Sequence, residues 1–160
     1  MKSIVFPICL VVWGASLTAE PAGATSWDAI DALRDKLTQA GVRVVQQGCS
    51  RRGLQGLYHP SSDTLVVCRA HRTPAEVWDT LAHEATHRMQ RCVGGPITDQ
   101  RHHRAMYTAL SRQHPGELRS IRVYPRQQQL AELEARYTAK LPPEDVLQLF
   151  DRYCGAQTRA

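Results

Sequence analysis

Three residues in this chain have the types and the spacing to do chemistry together: His83, Glu84 and His87, in the string His83-Glu84-Ala85-Thr86-His87. On a helix, residues four apart project from one face a turn apart, so the two imidazoles can grip a single zinc ion. Glu84 lies about 100° round from His83, an awkward ligand but well placed to hold a water beside the metal. That is a hydrolase's layout. The same string also arises by chance, so the elements around it decide its meaning.

The helix that must carry the string is written into its flanks. Thr73-Pro74-Ala75-Glu76 offers an N-cap threonine, a proline at the first helical position and a glutamate at the third, and Gly94-Gly95-Pro96 is a stop. The spacing predicts a helix over 73–93 of about five turns. Val77, Trp78, Leu81, Ala85 and Met89 form one apolar stripe along it. Glu76, Thr80, His83 and His87 fall on the opposite side, toward whatever covers the helix.

A catalytic zinc site wants a third protein ligand and an open fourth position. Gln90 and Val93 stand where a metzincin would have glycine and histidine, which excludes that subclass. Asp99, His102 and His103 follow the Gly94-Gly95-Pro96 break and could reach back. A further source is the helical stretch that Pro125 opens and that runs to Leu141, with Leu130, Leu133, Tyr137 and Leu141 as its apolar stripe. It contains Glu132 and Glu134, which diverge by about 200° on a helix, so one ion is held by one of them and not by both.

The His83-Glu84-Ala85-Thr86-His87 string followed by Glu132-Leu133-Glu134-Ala135 resembles the gluzincin metallopeptidases, the thermolysin-like superfamily. The resemblance implies that Glu132 is the third zinc ligand, with Glu134 its near rival, and that Zn2+ is the cofactor. It also implies peptide or protein substrates, cleaved by a zinc-activated water whose proton Glu84 takes and passes to the leaving amine. The family often has an acidic or amide residue directly after that alanine, supporting a ligand histidine; here Arg136 departs from the pattern. Residues 56–60 and 64–68, separated by Ser61-Ser62-Asp63, read as a β-hairpin. Many gluzincin-like domains carry such a hairpin ahead of the active-site helix, its edge strand pairing with an extended substrate. A donor for the developing oxyanion is needed as well, and Tyr107, Tyr124, Tyr137, His102 and His103 are the candidates.

The expected fold is α+β: one zincin-like domain over 25–160, with a short N-terminal helix and hairpin, then the active-site helix, the glutamate helix and a C-terminal helix. Its expected function is that of an exported zinc metallopeptidase. The alternative is a secreted zinc-binding or envelope interaction protein that keeps the fold without proteolysis, which closed four-ligand coordination would mark.

Lys2 precedes an apolar run over 4–17 that is short for a bilayer, and Ala22-Gly23-Ala24 forms an A-x-A cleavage signal. Residues 1–24 read as a signal peptide, with a cut after Ala19 as the other option, and no later segment is apolar enough for a membrane. The protein is expected to be secreted or periplasmic. Cys9 leaves with the signal, and Cys49, Cys68, Cys92 and Cys154 remain, an even set that in an oxidising compartment forms two disulfides with three possible connectivities. Cys49 with Cys68 and Cys92 with Cys154 is the favoured pairing, joining the strand around Val44-Val45 to the hairpin and the active-site helix to the last helix. Cys68 and His71, in a C-x-x-H spacing, are the rival metal reading.

Elsewhere Ser26 caps a helix with Trp27, Ile30, Leu33 and Leu37 on one face, ended by Gly41, and Pro142-Pro143 starts a last helix with Val146, Leu147, Leu149 and Phe150. Between them a helix over 98–111 and a loop at His114-Pro115-Gly116 are expected. Lys and Arg number 20 against 15 Asp and Glu, with a pI of about 9.2. The arginines are scattered along the chain without interleaved aromatics, which reads as a solvated basic surface and not as a nucleic-acid interface.

Overall fold

Local capping chemistry sets the order of elements in the computed structural model, which describes residues 25–155; the signal-peptide reading of 1–24 lies outside the described residues. Helix α1 (Trp27–Gln39) starts where the Ser26 side chain accepts the Ala29 N–H, and the chain turns after it at Gly41, whose φ is 85°. Ile30, Leu33 and Leu37 are buried. Trp27, expected in that stripe, is 56% exposed. It lies about a quarter turn from the stripe's centre, at the first helical position.

Strand β1 (Arg43–Gln47) runs parallel to β3 (Thr64–Cys68), and β2 (Gly56–His59) runs antiparallel to it, giving the order β1-β3-β2. The hairpin forms as expected, with β3 central and β2 at one edge. Leu65, Val66, Val67 and Cys68 are all buried, as suits a middle strand covered on both faces. Asp63 in the turn takes a left-handed φ of 45°. Its carboxylate accepts the Tyr58 hydroxyl at 2.7 Å and faces Arg88 Nε at 2.8 Å.

Helix α2 (Pro74–Val93) has the full capping box, with Thr73 Oγ1 accepting the Glu76 N–H while Glu76 accepts the Thr73 N–H, and left-handed Gly94 at φ 73° closes it. Val77, Trp78, Leu81, Ala85 and Met89 enter the main core, packed with α1, the sheet and α6 (Pro143–Cys154). Helix α3 (Gln100–Gln113) is capped by Asp99. The loop expected at His114-Pro115-Gly116 is instead the start of helix α4 (Pro115–Ile121), with Pro115 in the first turn, where a missing N–H is no loss. Seven residues are too few to show a hydrophobic period, so only the turn formers were legible there.

Helix α5 (Arg126–Thr138) stops before Leu141, which packs on the main core. Leu130, Leu133 and Tyr137 form a second apolar cluster with Met106, Leu110 and Ile121, so α3, α4 and α5 make a small lobe beside the main core. Cys49–Cys68 and Cys92–Cys154 are disulfides, which takes Cys68 out of any metal site with His71. The described residues thus form a small α+β domain of six helices, a three-stranded sheet and two disulfides. Among them no helix is long and apolar enough to cross a membrane.

Candidate metal centre

Helix α5 is what covers the histidine face of α2. It brings Glu132 to His83 and His87, so that one ligand atom from each of the three lies within 4.8 Å of the others, a set that can hold a metal ion. The two imidazoles stand edge to face with Nε2 atoms 3.2 Å apart, and the Glu132 carboxylate lies 3.4 Å from His87 Nε2 and 3.6 Å from His83 Nε2. Two features make the set fit a cation. Glu132 Oε2 is buried without a hydrogen-bond partner, the Arg136 guanidinium standing off at 3.7 Å, so a cation in closer contact would offset the cost of its burial. Gln90 fixes the His87 tautomer: its amide nitrogen donates to the Ala131 carbonyl and to Glu134, leaving Gln90 Oε1, 2.9 Å from His87 Nδ1, to accept that N–H. The lone pair of His87 Nε2 then faces the centre, the arrangement that ligand histidines use.

The charges are arranged around the same point. Burial, with repulsion from His87, holds His83 down at about 3. Burial opposes ionisation of His87 too, yet Glu132, Glu84 and Gln90 together raise it above the ordinary histidine value. Glu132 is held below the usual carboxylate range by His87, His83 and Arg136, against the cost of its burial. Burial lifts Glu84 to about 7, against the pull of His87 and the Tyr58 backbone N–H. Three donors and one carboxyl of near-neutral pKa therefore share the site.

Glu134 goes the other way. It is fully buried and takes the Ile97 N–H, the Thr98 N–H, the Thr98 hydroxyl and the Gln90 amide, tying α5 to the chain between α2 and α3. That carboxylate is saturated and supports His87 at one remove, through Gln90. Gln90 was passed over in the sequence except as an argument against metzincin spacing. The signal available was its position three residues after His87, on the same helix face.

A cleft of about 300 Å³ opens beside the centre, bounded by Gly56 on β2, by His83 and Glu84 on α2, and by Tyr124 and Arg136. A β-carbon on Gly56 would sit 2.4 Å from Thr80 Cγ2 and 3.2 Å from Glu84 Cγ, so the edge strand meets α2 at a distance only glycine allows. On the far wall Arg136 bonds Glu117 and reaches to 3.7 Å from Glu132, and Lys140 links Glu117 to Asp79. Of the candidate oxyanion donors, Tyr124 alone lines this cleft. Tyr107 is 51% exposed on α3, Tyr137 packs in the second apolar cluster, His102 bonds the exposed Asp99 cap, and His103 lies 3.7 Å from Glu134. Asp99, His102 and His103 are not brought to His83 and His87.

Fold and site together define a disulfide-bonded α+β domain with a two-histidine, one-glutamate group able to hold a metal ion. The chain belongs to the family described as "Domain of unknown function (DUF8637)", which matches residues 32–155. No curated protein and no solved structure matches it.

Proposed function

We propose that the protein is an exported zinc metallopeptidase of the gluzincin type, hydrolysing peptide bonds. The observation that carries this reading is the convergence of His83, His87 and Glu132 beside a cleft that His83 and the buried Glu84 line. Two imidazole nitrogens and a carboxylate are a donor set that catalytic zinc uses, with a position left for water or substrate. Zinc held there supplies Lewis acidity, lowering the pKa of water and polarising a substrate carbonyl.

The chain's own residues do the rest. Glu84 accepts the proton of the attacking water and delivers it to the leaving amine nitrogen, and a carboxyl near 7 is matched to both transfers at neutral pH. Tyr124, which lines the cleft, would donate its hydroxyl to the carbonyl oxygen as charge develops there. The edge strand β2 offers an extended substrate a backbone to pair with. Two disulfides suit an oxidising compartment and support export.

The test is metal analysis of the oxidised, chelator-free protein together with hydrolysis of a peptide library. One zinc per chain, turnover of some peptides and a loss of about 100-fold or more in Glu84→Gln with zinc retained are expected. Zinc far below stoichiometry, or a Glu84→Gln variant as active as the parent, overturns the reading.

A further inference from the structure

The arginine excess falls on one lobe of the fold, the one that α3, α4 and α5 build. Residues 100–128, from α3 through α4 to the start of α5, contain Arg101, Arg104, Arg112, Arg119, Arg122 and Arg126 against one carboxylate, Glu117. That excess of five equals the formal charge of the whole chain, because outside this segment fourteen cations meet fourteen carboxylates. Glu117 does not offset the arginines, since it is engaged with Arg136 and Lys140 at the cleft wall. All six are exposed. Arg101 is held by Asp99, and among the described residues no carboxylate pairs with the other five.

Helix α3 carries a regular cationic stripe. Arg101, Arg104, Thr108 and Arg112 follow helical spacing on the side of α3 opposite the buried Met106 and Leu110, a stripe about 16 Å long. It borders an open, shallow groove with Ala105 and Ala109, not an enclosed pocket. Between α4 and α5, Val123 is 82% exposed, the most exposed large apolar side chain described, with Arg122 before it and Arg126 three residues on. Tyr107 on α3 is 51% exposed as well.

We propose that this lobe docks on a bilayer surface rich in anionic phospholipid, its free guanidinium groups on headgroup phosphates and Val123 in the interfacial layer. Exposed guanidinium groups without carboxylate partners, on a lobe that also bears a protruding apolar side chain, suit a lipid surface, where charge attraction and a small apolar insertion act together. Recognition of a single nucleic acid strand calls for aromatic platforms interleaved with the cations, whereas the exposed Tyr107 stands about 100° round α3 from the arginine stripe. Docking does not depend on the peptidase reading.

Sedimentation with vesicles of phosphatidylcholine, alone or mixed with phosphatidylglycerol, tests it, using the full oxidised protein with circular dichroism as the control for folding. Binding is expected only with phosphatidylglycerol, weakening about five-fold per guanidinium removed. The variant with Arg104, Arg112, Arg119 and Arg122 all changed to Gln then falls to background. One with Arg43, Arg51, Arg52 and Arg69 changed to Gln has the same net charge and keeps most of the binding. Val123→Ser loses several-fold on vesicles and nothing on duplex DNA. Arg112→Gln and Arg122→Gln singly give the same comparison if the quadruple variant fails to fold. Absence of phosphatidylglycerol-dependent binding, equal losses in the two quadruple variants, or tighter binding to duplex DNA with Val123→Ser unaffected on vesicles each overturn the proposal.

Discussion

Replacing Gln90 with Ala separates metal binding from stability. The substitution removes the acceptor that holds His87 Nδ1–H, 2.9 Å away, and two donated bonds of 3.0 Å, to the Ala131 carbonyl and to Glu134. Glu134 keeps its bonds from Ile97 and Thr98, so no buried carboxylate is orphaned. The Ala131 carbonyl belongs to helix α5 and retains its helical surroundings. Three lost hydrogen bonds, each of order 1 kcal/mol net, set a stability cost of about 2 to 3 kcal/mol. At the metal, loss of an outer partner of a ligand histidine weakens binding about 10- to 100-fold, or about 1.4 to 2.8 kcal/mol. Zinc competition against a chromophoric chelator reads the second quantity, and urea unfolding of the metal-free protein reads the first. Gln90→Glu restores an acceptor for His87 but puts a carboxylate against Glu134, so it should recover zinc affinity better than it recovers stability. A zinc affinity for Gln90→Ala within two-fold of the parent would refute the role assigned to Gln90.

Glu132→Ala should abolish stoichiometric zinc at modest cost in folding, whereas Glu134→Ala should remove four hydrogen bonds, two of them fully buried, and lower stability by about 3 kcal/mol or more; metal analysis and urea unfolding of both variants decide it. Gly56→Ala must push β2 from Thr80 and Glu84, with a destabilisation of about 1 to 3 kcal/mol and a fall in any peptidase activity; unchanged melting and turnover would contradict the close approach. Glu84 has a folded pKa of about 7 against an ordinary 4.5, so its contribution to stability is present below pH 4.5 and is lost as pH rises through 7. Glu84→Gln should therefore stabilise the metal-free protein by about 3 kcal/mol at pH 8 and hardly at pH 4, and equal effects at both pH values would sink the assignment. Removing the Cys92–Cys154 bridge, which closes the longer loop, should cost about 4 kcal/mol, against about 3 for Cys49–Cys68, in paired Cys→Ala variants compared by denaturant unfolding.

Much of the scaffold was legible because its signals are local. Thr73, Pro74, Glu76 and Gly94 bracket α2 through hydrogen bonds made within a few residues, and the β2 to β3 turn is equally self-contained. Of the three possible disulfide connectivities, the favoured one, chosen for the elements it would join, is the one formed. Elements that depend on distant packing were not legible: α4 is too short to show a period and is held by the second apolar cluster, and the parallel pairing of β1 with β3 joins segments that share no turn. The basic lobe was hidden for a related reason. Its arginines are separated along the chain by apolar and polar residues, and only the packing of α3, α4 and α5 into one lobe gathers them.

Arg136 shows how a departure from a pattern can be reread once packing is known. In the resemblance, the position after the glutamate helix's alanine carries an acidic or amide residue that supports a ligand histidine. Here that position points a guanidinium at Glu117 and toward Glu132. A cation there cannot accept a histidine N–H. The acceptor is supplied from α2 itself by Gln90, one turn beyond His87, and Glu134 from α5 holds that amide in place. On the proposed reading the support of His87 therefore comes from Gln90 on α2 and Glu134 on α5, while Arg136 helps hold Glu132 ionised. On this logic Arg136→Asp alone should not improve zinc binding, because it places a carboxylate beside Glu132 and Glu117 while His87 already has its acceptor; a tighter zinc affinity in that variant, read by the same chelator competition, would show that Gln90 does not fill the role.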